Sequence, residues 1–268
     1  NNFSKCASSC LLHTNLGFED NENINIYDNN FIDYPGSAIM LGTQSSTHNG
    51  ISINNNRFQN GGTGVLTNAW YLYAKLASNV VINENIFNNL TNGLELNLIG
   101  GDDFVINNNS ITNVDYGAKV MGSSLFTQNL TFENNSILAK NNGILYLCSV
   151  SHTSLRGNLF KSNLIESISE ESISLDNCRG EITFNNNTVK SPKTAIDLYS
   201  SDAAINGNTI IGNCLAEDCL RVSFSKVSEI GIKLNRDSEA EIISNSIVNF
   251  YTSVYTENSL SNTIIYNL

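Results

Sequence analysis

Charge of either sign is scarce in this 268-residue chain, where charged residues make up 15%, against roughly 25% in an average soluble domain. Basic residues are the rarer kind. The 14 Lys and Arg stand against 25 Asp and Glu, and the net charge at pH 7 is -11. Proteins that bind DNA, RNA or anionic lipid surfaces need a basic footprint. We therefore expect no nucleic-acid partner.

Proline and long apolar runs are lacking as well. The chain has two prolines, and it has no apolar stretch of about 18 residues that would cross a bilayer, so we expect no membrane insertion. Hydrophobic residues, at 41%, are numerous enough for a continuous core. Asparagine takes the place of charge, with 45 copies in the chain. We predict one domain over residues 1–268, as a segment of a longer protein.

One short pattern, apolar-x-x-Asn-x-apolar, recurs along the chain. Its nine copies have asparagines separated by 27, 29, 24, 26, 23, 29, 21 and 37 residues. Self-similarity at a period of 20 to 30 residues is typical of solenoids. The nine repeat asparagines are Asn29, Asn56, Asn85, Asn109, Asn135, Asn158, Asn187, Asn208 and Asn245.

A second marker follows the asparagine at a fixed distance. Glycine stands eight residues after four of the repeat asparagines, and apolar residues then alternate with polar ones, as in Leu94–Leu96 and Ile144–Tyr146. A glycine there indicates a place that a side chain would crowd, and a period of two indicates a strand with one buried face. The four glycines are Gly64, Gly93, Gly117 and Gly143.

This repeat resembles the right-handed parallel β-helix of the pectate-lyase-like superfamily, whose coils combine the asparagine pattern with Gly and alternating apolar residues. The resemblance extends over about residues 24–264. It implies an all-β fold, a right-handed parallel β-helix solenoid of about 9–10 coils with an asparagine ladder. It implies no single activity, because that fold hosts lyases, hydrolases, epimerases, phage tailspikes, adhesins and spacers.

The repeat asparagines are interpreted as structure and not as ligands. Asparagine tolerates the left-handed backbone of a sharp turn, and its amide can bond to the same amide about 4.8 Å away on the next coil. Six Asn-x-Ser/Thr sequons also occur, no more than this composition predicts, so their number alone does not indicate glycosylation. The sequons begin at Asn2, Asn89, Asn108, Asn129, Asn134 and Asn186.

The segments that link each glycine to the next repeat asparagine vary in length, so we expect loops along one side of the solenoid, where binding commonly occurs. The longest of these linking segments, from Gly64 to Asn85, contains Trp70, Tyr71 and Tyr73. These aromatic rings suit a saccharide platform, although aromatic residues also fill the interior of a wide coil. A second break, at residues 213–227, is an expected insertion.

Six cysteines suit an oxidising compartment, and we expect the protein to be extracellular or at the cell surface. Cys6 and Cys10 are disulfide candidates four residues apart, and Cys214 with Cys219 is interpreted as a disulfide-closed loop within the insertion. Two further cysteines stand about one coil apart at similar register, where they either stack as thiols or bond. These are Cys148 and Cys178.

Outward positions of the aligned strands offer the best catalytic candidates. The alignment places Asp176 diagonally beside Asp197 on the adjacent coil, with Tyr199 and Lys233 beside them and Arg179 at the following turn. Two carboxylates roughly 5–8 Å apart suit acid and nucleophile or base roles on a glycoside. They equally suit Ca²⁺, or they are paired charges on a wet sheet face without any catalytic role.

Two classes of function therefore stay open. The first is an extracellular structural or adhesive module of a larger surface, filament or appendage protein, which contacts glycans, and whose uncapped end coils stack on neighbouring domains or subunits. The second is a polysaccharide lyase or glycoside hydrolase that uses Asp176, Asp197, Lys233 and Arg179, with Tyr199 as a sugar contact. Apart from Ca²⁺, no metal or cofactor is expected.

Overall fold

A computed structural model gives the conformation of most of the chain. It describes residues 1–6, 10–15, 21–43, 48–69, 77–97, 102–122, 129–148, 155–213, 229–259, 262–265 and 267–268.

Every regular element in these residues is a β-strand. Within the same residues, no helix has the length and apolar character needed to cross a membrane. The first thirteen strands are β1 (Asn2–Ser4), β2 (Leu11–Asn15), β3 (Asn21–Tyr27), β4 (Asn30–Thr43), β5 (His48–Asn54), β6 (Arg57–Ala69), β7 (Ala77–Asn83), β8 (Ile86–Asn97), β9 (Asp102–Asn107), β10 (Ser110–Gly122), β11 (Leu130–Glu133), β12 (Ser136–Ala139) and β13 (Ile144–Cys148). The others are β14 (Leu155–Lys161), β15 (Leu164–Ser167), β16 (Ile173–Asp176), β17 (Gly180–Asn185), β18 (Thr188–Ser191), β19 (Thr194–Tyr199), β20 (Asp202–Asn206), β21 (Thr209–Gly212), β22 (Ile230–Asn235), β23 (Glu239–Ile243), β24 (Ser246–Val248), β25 (Thr252–Glu257) and β26 (Thr263–Ile265).

These strands wind into a parallel solenoid. One sheet has ten strands, in the order β26-β23-β20-β17-β14-β11-β9-β7-β5-β3, and each strand pairs in parallel with its equivalent on the next coil. The second sheet has 16 strands. In early coils its strands, such as β10, continue through a bulge, whereas in later coils the same path is divided into two, such as β12 and β13. The predicted all-β parallel solenoid is confirmed.

A ladder of buried asparagines joins the coils where the chain passes from the first sheet to the second. The side-chain Nδ2 of each member donates to Oδ1 of the next over 2.9–3.1 Å. The same Oδ1 accepts the backbone N–H of the previous member over 2.8–3.0 Å. These members are Asn29, Asn56, Asn85, Asn109, Asn135, Asn163, Asn187, Asn208, Asn245 and Asn267. Asn1 extends the ladder through its side chain alone, because its Nδ2 donates to Oδ1 of Asn29 at 3.1 Å.

The prediction was wrong for Asn158, which lies outside this ladder. Asn158 is buried within β14, where its Oδ1 accepts the backbone N–H of Leu130 over 3.2 Å. Its place in the ladder is taken by Asn163, which follows Phe160 as Asn135 follows Phe132. Two overlapping copies of the pattern, 155–160 and 160–165, exist in the sequence, and strand register selects the second.

From Asn29 to Asn245, the left-handed backbone conformation belongs to the residue before the ladder asparagine and not to the asparagine itself. Asn134, for example, has φ of 55°, and Asn186 has 54°. This division follows from chemistry, since the turning residue exposes its side chain while the next residue points its amide into the core. The corner row, as we name these turning residues, consists of Asp28, Asn55, Glu84, Asn108, Asn134, Ser162, Asn186, Gly207 and Ser244.

The core consists of apolar side chains stacked in register along the solenoid. Phe31, Phe58 and Phe87 stack on consecutive coils with ring centroids 5.0 and 4.6 Å apart. A second aromatic row contains Phe160 and Phe184, 4.8 Å apart. Parallel rings at this spacing bury large areas and add about 0.5–1.5 kcal/mol per pair beyond that burial.

The glycines that follow the asparagines also stack. A Cβ on Gly93 would lie 2.6 Å from the backbone oxygen of Gly117, and a Cβ on Gly117 would collide with the oxygen of Gly143 and with Ile137. The predicted crowding is therefore confirmed. Later coils use other small residues at the same register, namely Ser172 and Ala195.

Two disulfides are present among the described residues. Cys148 bonds to Cys178, which joins the ends of β13 and β16 on consecutive coils, and Cys6 bonds to Cys10. Of the two alternatives for the first pair, the bond is the one that forms. The pair predicted between Cys214 and Cys219, and most of the insertion at 213–227, lie outside the described residues.

Candidate functional site

Outward side chains of the second sheet form rows whose register agrees with the alignment of the sequence. Ser174, Asp197 and Lys233 stand opposite one another on three consecutive coils. A neighbouring row holds Asp176, Tyr199 and Asn235. Because successive outward residues are two apart, the two rows run side by side along the sheet.

An open groove of about 400 Å³ lies on this face, where β19, β22 and β25 are neighbours. Its walls combine two cations, two carboxylates, one phenol ring and two amides. It is lined by Asp197, Tyr199, Lys233, Asn235, Arg236, Glu257 and Asn258.

Asp197 is the most enclosed charged group of the groove, with 19% of its side chain exposed. Its Oδ1 accepts from the Asn235 amide at 3.1 Å, and its Oδ2 lies 3.7 Å from the ammonium of Lys233. Burial raises the pKa of the Asp197 carboxyl, and the nearby charge of Lys233 opposes that rise only in part. Asp197 is therefore easier to protonate than an ordinary surface aspartate.

Tyr199 and Arg236 form the other wall. The Arg236 guanidinium lies 5.0 Å from the centre of the Tyr199 ring, within cation–π range. Arg236 and Asp237 both have left-handed backbones, with φ of 44° and 54°, and two such residues in succession are costly without glycine. The turn that aims Arg236 over the ring is closed by its own N–H, which donates to the Glu257 carbonyl at 3.1 Å.

Three of the five residues proposed around this site, Asp197, Lys233 and Tyr199, line the groove, and the other two do not. Asp176 stands opposite Tyr199, diagonal to Asp197, and its Oδ1 accepts from the amide of its neighbour Asn177 at 2.8 Å. It does not contribute to the walls of the groove.

Arg179 is engaged at a different turn. Its guanidinium lies 2.6 Å from Oδ1 of Asp202 and donates to the backbone oxygen of Asp237 at 2.6 Å. The second oxygen of Asp202 accepts the N–H of Gly180 at 3.2 Å. Arg179 therefore ties together three successive coils, a structural task that leaves its donors turned away from Asp197.

Arg236, Glu257 and Asn258 are groove residues that sequence reasoning missed. The alignment of outward residues ended at the residue directly after the last apolar one, which is Asp176 after Leu175. Arg236 lies two positions after Leu234, so an alignment extended by one residue would have included it. Glu257 lies on the next coil, at the register of Asn235. The strand that carries Glu257 has few apolar residues at 252–256, so the alternation of apolar and polar residues that identified the other strands is weak there.

The aromatic platform of the sequence analysis, Trp70, Tyr71 and Tyr73, lies outside the described residues. Within the described ranges, no group of three or more His, Cys, Asp or Glu side chains is arranged to hold a metal ion.

Comparison with known families fits this architecture. The sequence profile described as "Right handed beta helix region" matches residues 1–160 and 72–215, which together extend over residues 1–215 of the 268. The chain belongs to this family. The right-handed β-helix is thus established by sequence as well as by the parallel coils and the asparagine ladder. No curated protein and no solved structure gives a significant match to this β-helix.

Proposed function

We propose that this β-helix is an extracellular structural and adhesive module of a larger surface, filament or appendage protein, whose groove at Asp197 binds glycans without cleaving them. The observation that carries the proposal is the use of charged side chains between coils. Asp197 pairs with Lys233, and Arg179 with Asp202, so each ion pair joins one coil to a later one. Such pairs fix the register of one coil against the next.

The other ion pairs of the described residues follow the same rule. Lys161 pairs with Glu133 at 3.0 Å, and Lys193 pairs with Glu170 at 2.7 Å, again between coils. Exposed pairs contribute little each, but a regular series of them suits a protein whose task is to remain stiff.

Extracellular location is supported by the disulfides, since such bonds persist in oxidising compartments and are rare where thiols are kept reduced. Stacking on neighbouring domains or subunits is supported by the last coil. β26 is an edge strand of its sheet, and its Ile264 is 48% exposed. An apolar edge strand of this kind suits pairing with a partner.

Glycan contact is supported by the make-up of the groove. Amides and opposite charges that bond sugar hydroxyls surround one aromatic ring, whose face suits the C–H surface of a sugar. The direct test is a polysaccharide array probed with the wild type and with Tyr199→Ala. We expect binding that this substitution abolishes.

A matched control exists on the same sheet face. Tyr116 carries a cation, Lys119, over its ring at 4.0 Å, as Tyr199 carries Arg236, but it lies three coils away from Tyr199 and outside the groove. Tyr116→Ala is expected to bind as the wild type does. Equal loss in both variants, or no binding to any polysaccharide, would remove the adhesive part of the proposal.

A carbohydrate-active enzyme is the second candidate, and one observation favours it. The groove holds two carboxyl groups, and burial raises the pKa of one of them, Asp197, as a general acid requires. Reducing-end and unsaturated-product assays on the same array decide between the two. We expect no turnover, whereas turnover that is lost in Asp197→Asn and in Glu257→Gln would establish the enzyme.

A further inference from the structure

Three asparagines of the corner row are each followed, two residues later, by a hydroxyl side chain. They precede Ser110, Ser136 and Thr188, at the start of β10, β12 and β18. All three have left-handed backbones, with φ of 53°, 55° and 54°, and all three are exposed. They are Asn108, Asn134 and Asn186.

The structure separates these asparagines from the ladder members beside them. Asn135 is 2% exposed and holds the coils together through its amide, whereas Asn134 turns its amide to solvent. In each Asn-Asn pair of the corner, only the first residue is both accessible and the start of a sequon. The sequence identifies the sequon, and the structure adds that its asparagine is the exposed residue of the pair.

We infer that Asn108, Asn134 and Asn186 are N-glycosylation sites, which place a row of glycans along one corner of the solenoid. This inference rests on the extracellular location of the proposed function. In the reaction, Nδ2 forms a bond to the anomeric carbon of a lipid-linked oligosaccharide. The bond from that carbon to the lipid diphosphate breaks, the diphosphate keeps the electron pair, and the amide gives up one proton.

The folded structure accommodates this change. A glycosylated amide retains one N–H, and Asn108 Nδ2 uses a single hydrogen bond, to Oδ1 of Asn83 at 3.1 Å, so that bond survives. Consecutive coils lie about 4.8 Å apart, and Ser162 separates the coils of Asn134 and Asn186 in the corner row. The groove is built from β19, β22 and β25, on the outward face beyond the corner, and stays open.

The experiment uses the full chain, secreted from a eukaryotic host by an added signal peptide, so that the outcome does not depend on the natural location. The secreted protein is deglycosylated enzymatically in heavy-oxygen water, which converts each modified asparagine into a labelled aspartate, and its peptides are sequenced by mass spectrometry. We expect label at Asn108, Asn134 and Asn186. Asn55 is the internal control, since it is exposed at the same corner but has Arg57 two residues later.

Two variants isolate the site chemistry. Ser136→Ala removes the hydroxyl of one sequon and leaves its asparagine in place, so the label at Asn134 should vanish while the other two persist. Asn134→Gln should give the same result. Secreted protein that carries no label at these three positions would overturn the inference, and the groove's glycan binding would be unaffected by that outcome.

Discussion

Asn135 donates its side-chain amide to Oδ1 of Asn163, 3.1 Å away on the next coil. Asn163 in turn donates to Oδ1 of Asn187 at 3.0 Å and to the backbone oxygen of Phe132 at 2.7 Å. Asn158 stands five residues earlier within an equally good local pattern, and it makes none of these contacts. The ladder therefore requires one asparagine per coil, at one register.

Replacement of a true ladder member is expected to destabilise the protein far more than replacement of Asn158. Asn163→Ala removes the acceptor of the buried Asn135 backbone N–H, one of the bonds of the Asn135 amide, and the bond from Asn163 to the oxygen of Phe132, at a cost of about 3 kcal/mol. Asn158→Ala removes one acceptor, for Leu130, and also an amide nitrogen that is without a partner among the described residues, so about 1 kcal/mol is expected.

Chemical denaturation of both variants measures this difference, and hydrogen exchange at the Asn135 amide reports it locally. Equal destabilisation by the two substitutions would show that burial alone, and not the ladder, matters at these positions.

Crowding of the glycine row predicts that even one methyl group is too large. In Gly117→Ala the added Cβ meets the backbone oxygen of Gly143 and the side chain of Ile137, and overpacking of this kind costs about 1–3 kcal/mol. Lys119→Ala, on the outward face of the same strand, removes only a cation–π contact with Tyr116, worth about 0.5–1 kcal/mol. Thermal unfolding of the two variants should rank them in that order, and a Gly117→Ala protein as stable as the wild type would contradict the packing.

The two disulfides should differ in their contribution to stability. Cys148–Cys178 closes a sequence separation of 30 residues, whereas Cys6–Cys10 closes one of 4. On the chain-entropy account, the longer loop gives about 3–4 kcal/mol and the shorter about 2 kcal/mol. The double variants Cys148→Ala with Cys178→Ala, and Cys6→Ala with Cys10→Ala, are compared by unfolding midpoint. A larger loss from the second pair would refute this order.

Stability should depend on pH through Asp197. Burial raises the pKa of its carboxyl above the ordinary 3.8, so the folded protein binds this proton more tightly than the unfolded chain does. The resulting stabilisation is complete below 3.8 and is lost as pH rises through the raised pKa. At pH 7 the buried carboxylate therefore disfavours folding.

The uncharged isostere Asp197→Asn is accordingly expected to unfold at a temperature a few degrees higher than the wild type at pH 7, and the gain should shrink as pH falls towards 3.8. Asp176→Asn, outside the groove, serves as the control and should change stability by less than about 0.5 kcal/mol. A midpoint lowered at pH 7 by Asp197→Asn would mean that the pairing with Lys233 outweighs burial.

The periodicity of the sequence predicted most of the fold, and the predictions that were wrong have identifiable causes. Alternation such as Leu94–Leu96 assigned strands and their buried faces, since side chains on a strand alternate between its two sides. Asn158 was chosen over Asn163 because the pattern was read locally. The apolar alternation of this coil starts at Ile173, ten residues after Asn163 but 15 after Asn158. In the preceding coil it starts at Ile144, nine residues after Asn135, so the distance from asparagine to alternation identifies Asn163 as the ladder member.

The residues of the candidate site were predicted less completely than the strands. Asp197, Lys233 and Tyr199 follow from strand register alone, and the structure brings them together. Arg179 is paired elsewhere and Arg236 was missed, because both lie on turns, where the direction of a long side chain depends on contacts such as Asp202 and the Tyr199 ring. Turn residues have no fixed inward or outward period.

The amino-acid sequence by itself determined that this chain winds into parallel coils, because the period of its apolar residues and asparagines is a property of each coil alone. The tertiary structure decided which asparagine joins the ladder, whether Cys148 and Cys178 bond, and which charges face one another across the groove. These pairings join residues about 20 to 40 positions apart, so they depend on the exact number of residues in every turn between them, which no local pattern encodes.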